Sequence, residues 1–92
     1  MVEHHLDESF FESRIGRLTE GEKAYVGAMA ALGDGPQSSA AVARRLGRDS
    51  KAASPVRDEL INSAVIYAPR RGFVDFTVPH CAAFVRRRHP LA

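Results

Sequence analysis

Residues 38–61, SSAAVARRLGRDSKAASPVRDELI, read as two helices separated by a tight turn. Ser38 or Ser39 can cap the first helix, because a serine hydroxyl accepts from an otherwise orphaned backbone N–H. Val42, Ala43 and Leu46 then fall on one face, with Arg44 and Arg45 on the other. Gly47 ends that helix, and Arg48-Asp49-Ser50 is a short connection in which Ser50 can cap the next helix. There Ala53, Val56, Leu60 and Ala64 share a stripe, with Ile61 beside it. A short helix, a turn of roughly three or four residues containing glycine, and a second helix make a helix-turn-helix unit. Pro55 leaves the start of the second helix open, because proline removes a hydrogen bond and restricts the residue before it. Either the helix begins at Ser50 with a distorted first turn, or Ser54 caps it and Pro55 is its first residue. The earlier start keeps the turn short.

Downstream, Val65-Ile66-Tyr67-Ala68 has strand composition, and Phe73 to Val78 alternates and is rich in β-branched and aromatic residues. Pro69-Arg70-Arg71-Gly72 between them reads as a turn, so the two runs predict a β-hairpin with a basic tip. Pro79 can start a last helix with Cys81, Phe84 and Val85 as its apolar face. Arg86-Arg87-Arg88 then suits a solvated helix end that complements the dipole. Upstream, Thr19-Glu20-Gly21-Glu22 matches a capping box. Tyr25, Ala28, Met29 and Leu32 follow at helical spacing, and Gly33-Asp34-Gly35-Pro36 stops that helix. Phe11, Ile15 and Leu18 predict a further helix over residues 6–18, or a linker ordered against a neighbouring domain.

These elements predict a mainly α fold. It is a winged helix-turn-helix, a three-helix bundle with a two-stranded β-hairpin wing, plus flanking N- and C-terminal helices. Residues 1–18 are the N-terminal helix or linker from a preceding domain, 19–88 the winged-helix domain and 89–92 a tail. The chain has 92 residues, the size of one domain. Its one cysteine, Cys81, permits no internal disulfide and fits a reducing compartment. No apolar run approaches the roughly 18 residues of a membrane span. The N-terminus lacks the basic start and apolar stretch of a signal peptide, which points to the cytoplasm and away from a membrane.

Little in the chain suggests chemistry. There is no GxxxxGK[ST] loop, no GxGxxG, no CxxC and no HxxxH pair among the four histidines. The sequence therefore predicts no bound cofactor, no metal, no small-molecule substrate and no catalysis.

The net charge is only +2, but residues 1–24 hold six acids against three bases, and residues 25–92 hold ten bases against five acids. A polyanionic partner for the second part follows from that excess. In a helix-turn-helix the second helix enters the major groove, and here it would present Lys51, Ser54 and Arg57. Arg44, Arg45 and Arg48 lie where backbone phosphates would be, and Arg70 and Arg71 at the wing tip reach phosphates or a minor groove. Arg57 is the best base-reading candidate. Against this, Asp58 and Glu59 on the same helix repel phosphate, and each cation also reads as a solvated charge on an amphipathic face.

Several stretches share one pattern: Phe10-Phe11, Arg17-Leu18-Thr19, Glu22-Lys23-Ala24-Tyr25, Gly33-Asp34-Gly35-Pro36, Leu46-Gly47, Ser54-Pro55-Val56-Arg57, Leu60-Ile61, Arg71-Gly72 and Phe76-Thr77-Val78-Pro79. Over roughly residues 7–88 the chain resembles the C-terminal winged-helix domain of bacterial ATP-binding proteins of the AAA family. These are similar to the archaeal origin-recognition ATPases, whose winged helices contact DNA. "SPVRDELI" and "FTVP" are the most specific parts. The resemblance implies a C-terminal piece of a longer ATPase, with ATP hydrolysis confined to the parent. It differs in two places. The family commonly has a Lys-Gly pair where this chain has Ser63-Ala64. Lys51-Ala52-Ala53 replaces part of a serine-rich helix start, which reduces hydrogen-bonding surface. The resemblance implies docking of an AAA ATPase on double-stranded DNA. The alternative is a protein-interaction module that packs on the ATPase domain, another subunit or a client protein.

Overall fold

The computed structural model describes residues 12–78 and 80–88. They form α1 (described over residues 12–15), α2 (Glu20–Leu32), β1 (Gln37–Ser38), α3 (Ser39–Arg45), α4 (Ser50–Asn62), β2 (Ile66–Tyr67), β3 (Phe73–Phe76) and α5 (Cys81–Arg88). The fold is mainly helical, with a small antiparallel sheet. The part of the expected first helix before residue 12, the Pro79 helix start and the 89–92 tail lie outside the described residues.

α2 starts where its capping box sets it. The Thr19 hydroxyl accepts from the Glu22 N–H, and the Glu22 carboxylate accepts from the Thr19 N–H. α2 then runs through the centre of the molecule and packs against α3, α4 and α5. Its Tyr25, Val26, Ala28, Met29 and Ala30 are buried with Ile15, Leu60, Ile66, Val74, Phe84 and Val85 in one core. Leu32, expected in that core, is 37% exposed, because the helix ends there and its last two residues, Ala31 and Leu32, look to solvent. Arg86 of α5 reaches back to this end. Its guanidinium donates to the Ala30 carbonyl at 2.7 Å and to Asp34 at 2.8 Å. Arg86 was expected as part of a solvated helix end; instead it satisfies a carbonyl at the C-terminus of α2.

α3 is capped by Ser38, whose hydroxyl accepts from Ala41 N–H. It closes with two reverse bonds, Gly47 N–H to the Arg44 carbonyl and Arg48 N–H to the Ala43 carbonyl. Gly47 takes φ +75 there, the left-handed cap that favours glycine. α4 begins at Ser50, the earlier of the two starts, but its cap is Asp49 and not Ser50. The Asp49 carboxylate accepts from Ala52 N–H at 2.8 Å. Pro55 therefore sits inside the helix.

α4 ends with the same pair of reverse bonds, Ala64 N–H to the Ile61 carbonyl and Val65 N–H to the Leu60 carbonyl. Here the left-handed residue is Ala64, at φ +63, so it leaves the apolar stripe expected of it and is exposed. A Cβ in that region costs about 1–2 kcal/mol. Ala64→Gly is accordingly expected to stabilise the domain by about 0.5–1 kcal/mol, once glycine's freedom in the unfolded chain is set against it. Thermal unfolding should then shift up by a few degrees, about 4–8 °C per kcal/mol in a domain of this size; an unchanged or lower midpoint would remove the strain from the account. The Thr77 hydroxyl donates to the Ala64 carbonyl at 2.7 Å, which holds this exit against the residue that follows β3.

The expected two-stranded wing is a three-stranded sheet of order β1-β3-β2. β2 pairs with β3 as Ile66 with Phe76 and Tyr67 with Asp75. On the other side Ser38 pairs with Phe73 and Gln37 with Val74. The third strand arises because the residues entering α3 are extended and meet the start of β3. Ser39 then donates from both its N–H and its hydroxyl to the Gly72 carbonyl, fixing the Pro69–Gly72 turn to the start of α3.

Cys81 is buried at the start of α5, and burial pushes its thiol up to about 12, opposed by the positive charge of Arg14. The folded state thus keeps a proton that the unfolded chain releases. This contribution is complete below the ordinary thiol range near 8.5 and is lost as pH climbs towards the folded value. Tyr25, also raised by burial, acts in the same direction above its ordinary range. The denaturation midpoint should fall from about pH 9 upward, and less steeply in Cys81→Ala; equal slopes would contradict the assignment.

Candidate nucleic-acid interface

The predicted site residues separate into three groups. The first is the turn between α3 and α4. Arg44, Arg45, Arg48 and Lys51 are all exposed within eight consecutive positions. None is in either of the two ion pairs, Arg57–Asp58 and Arg86–Asp34, found among the described residues. The one acid within this stretch, Asp49, has its carboxylate engaged in capping α4. The local cause is the pair of helix-end signals. The Gly47 cap and the Asp49 cap keep the connection short, so Arg44 and Arg45 at the end of α3, Arg48 between the helices and Lys51 at the start of α4 stay together.

The second group is the Pro69–Gly72 turn between β2 and β3. The Arg70 guanidinium lies over the Phe73 ring, 4.1 Å from its centre, and Arg71 is exposed. Because Gly72 is bonded to Ser39 at the start of α3, and Arg44 and Arg45 are at its end, α3 spans the two basic groups. Seven helical residues are about 10 Å long, comparable with the roughly 12 Å width of a DNA major groove.

The third group is the body of α4, and the structure does not add it to the other two. Arg57 is only part-exposed. Its Nε and Nη2 both donate to the Asp58 carboxylate, at 3.2 and 2.9 Å. It also lies close enough to Tyr25 to act on its hydroxyl. Ser54 donates its hydroxyl back to the Ser50 carbonyl. The exposed positions of α4 are Ser50, Lys51, Ala52, Pro55, Asp58, Glu59 and Asn62, on which the two acids outnumber the one cation. Sequence reasoning placed Arg57 on the right helix; the adjacent Asp58 was the signal that its donors would be occupied. The Arg86-Arg87-Arg88 run is likewise engaged, Arg86 at the end of α2, and Arg87 and Arg88 each 6.0 Å from the Phe84 ring centre.

Among the described residues no helix is long and apolar enough to cross a membrane, and no group of three or more histidine, cysteine or acidic side chains is placed to hold a metal ion. No curated protein and no solved structure matches the chain. A family profile described as a domain of unknown function, DUF8462, matches residues 8–85. That span takes in every described element from α1 to α4 and the sheet, and most of α5, so the chain belongs to the DUF8462 family.

Proposed function

We propose that this domain is a winged helix-turn-helix module that docks on double-stranded DNA through its phosphates, as the accessory domain of an AAA-family ATPase. The winged reading is supported by the element order, helix, strand, helix, helix, strand, strand, and by the strand order β1-β3-β2. α3 and α4 are then the two helices of the unit and the Pro69–Gly72 turn is the tip of the wing. The ATPase context rests on the resemblance of the "SPVRDELI" stretch, which lies within α4, and the "FTVP" stretch, whose Thr77 bonds to the exit of α4. Nucleotide hydrolysis belongs to the parent in this reading, and the domain itself is non-catalytic.

One observation carries the docking: Arg44, Arg45, Arg48 and Lys51 are exposed, adjacent and without ion-pair partners among the described residues. Cations so disposed release condensed counterions when they meet phosphate, which supplies affinity without sequence information. Base reading has no such support, because Asp58 holds two nitrogens of Arg57, Nε and Nη2, and the acids of α4 would face the groove. The test is fluorescence anisotropy of the domain with random duplex DNA, titrated across salt. Binding that weakens linearly in log salt supports the reading; no binding at low salt ends it. A second reading, packing on a protein partner, is favoured by the exposed Asp58 and Glu59 on α4, which suit a basic protein surface better than a duplex.

A further inference from the structure

Between α2 and α4, beside the basic turn, is a cleft of about 350 Å³. Its walls are Gly21, Ala24 and Tyr25 on one side and Ala53 and Val56 on the other, with Leu46 at the end. The cause is local. Glycine and two alanines stand where the helices face each other, so no side chain fills the space between them. A Cβ built on Gly21 would meet nothing nearer than Val56, at 4.0 Å.

Two further features bear on what fills the cleft. Arg45 and Arg48 line it, both exposed and outside the ion pairs of the described residues, while no acid lines it. Tyr25 borders it with 1% of its surface exposed. A nucleobase would need an exposed ring to stack on, and the Tyr25 ring is covered. An aliphatic or aromatic side chain fits walls of this size and polarity, and carboxylates beside it fit the arginines.

We propose that this cleft docks a segment of a partner protein in which an apolar side chain is flanked by acidic residues, with Arg45 and Arg48 pairing the carboxylates. The cleft shares Arg45 and Arg48 with the basic turn, so an acidic segment and a duplex compete for them, while the apolar contacts of the cleft do not depend on DNA docking. The apolar side chain enters between Ala24, Ala53 and Val56.

The experiment is an NMR titration of the backbone amides of the full 92-residue chain with a capped octapeptide, Asp-Glu-Asp-Phe-Leu-Asp-Glu-Asp. One control peptide has Ser-Gly in place of Phe-Leu, and another has Lys in place of every acid. Saturable shifts centred on Gly21, Ala24, Ala53 and Val56 are expected. Each control should bind about tenfold more weakly or worse, the size of losing one buried aromatic side chain or the charged contacts. Gly21→Leu, which fills the cleft from the first turn of α2 where a side chain has room, should abolish the shifts and leave the fold and duplex binding intact. Arg44→Ala with Lys51→Ala should do the reverse, weakening duplex binding alone. Shifts centred elsewhere, equal binding of the Ser-Gly control, peptide binding that survives Gly21→Leu, or no shift at millimolar peptide would each overturn the proposal. So would a parallel loss of duplex binding in Gly21→Leu, which would make the cleft part of the nucleic-acid surface.

Discussion

Phe84→Ala is expected to lower the free energy of unfolding by about 3–5 kcal/mol, the range for emptying a buried aromatic site. The ring is 1% exposed and belongs to the same core as Ile15, Met29 and Val85. α5 has eight residues, fewer than the roughly 12–15 an isolated helix needs to persist in water. It therefore stays helical because Phe84 and Val85 hold it against α2. Losing the ring removes that hold, and with it the Arg86 bond to the Ala30 carbonyl that closes α2. A domain this small has a total of about 5–15 kcal/mol to lose. Urea unfolding followed by circular dichroism measures the effect through the shift of midpoint at constant slope. A loss under about 1 kcal/mol would mean that α5 is dispensable to the core.

Replacing Arg44, Arg45, Arg48 and Lys51 together by alanine is expected to remove nearly all affinity for duplex DNA. Five phosphate contacts, these four and Arg71, give a slope of log affinity against log salt of about −4 to −5, at roughly −0.9 per contact. The fourfold variant should keep a slope near about −1. Single alanine variants should each reduce the slope by about one contact, and should do so alike for every duplex sequence. Arg57→Ala should change the slope little, since its Nε and Nη2 already face Asp58. All four positions are exposed, so thermal stability should move by less than about 0.5 kcal/mol, which separates lost binding from lost fold. A variant that still binds duplex as tightly as the native domain would remove the turn from the interface.

Much of this architecture is legible in short-range chemistry. Thr19 with Glu22, Ser38 with Ala41 and the Gly47 cap are interactions across a few residues, and each is written in the local sequence. The apolar periodicity of α2 and α4 is equally local. What escapes is set by partners far along the chain. Gln37 and Ser38 carry no strand signal of their own and become β1 because Val74 and Phe73 lie alongside. Arg86 reads as a solvated charge until the end of α2 is brought beside it. Leu32 has the right spacing for the core, yet its helix stops before a neighbour can cover it. The basic turn was visible because its residues are contiguous. The cleft was not, because small residues signal space only when two helices are known to face one another.

The offset pairing in the sheet has a consequence for solubility. β1 covers only the Phe73–Val74 half of β3, and β2 covers only the Asp75–Phe76 half from the opposite side. Each outer strand is two residues long. Among the described residues no run of unpaired strand backbone is therefore long enough to template a neighbouring chain, and a charged residue, Asp75, interrupts the apolar character of β3. Short edges and an interposed charge are how sheets avoid self-assembly. The domain should accordingly resist fibril formation at high concentration and under partial unfolding of its helices, a property that resides in three short strands.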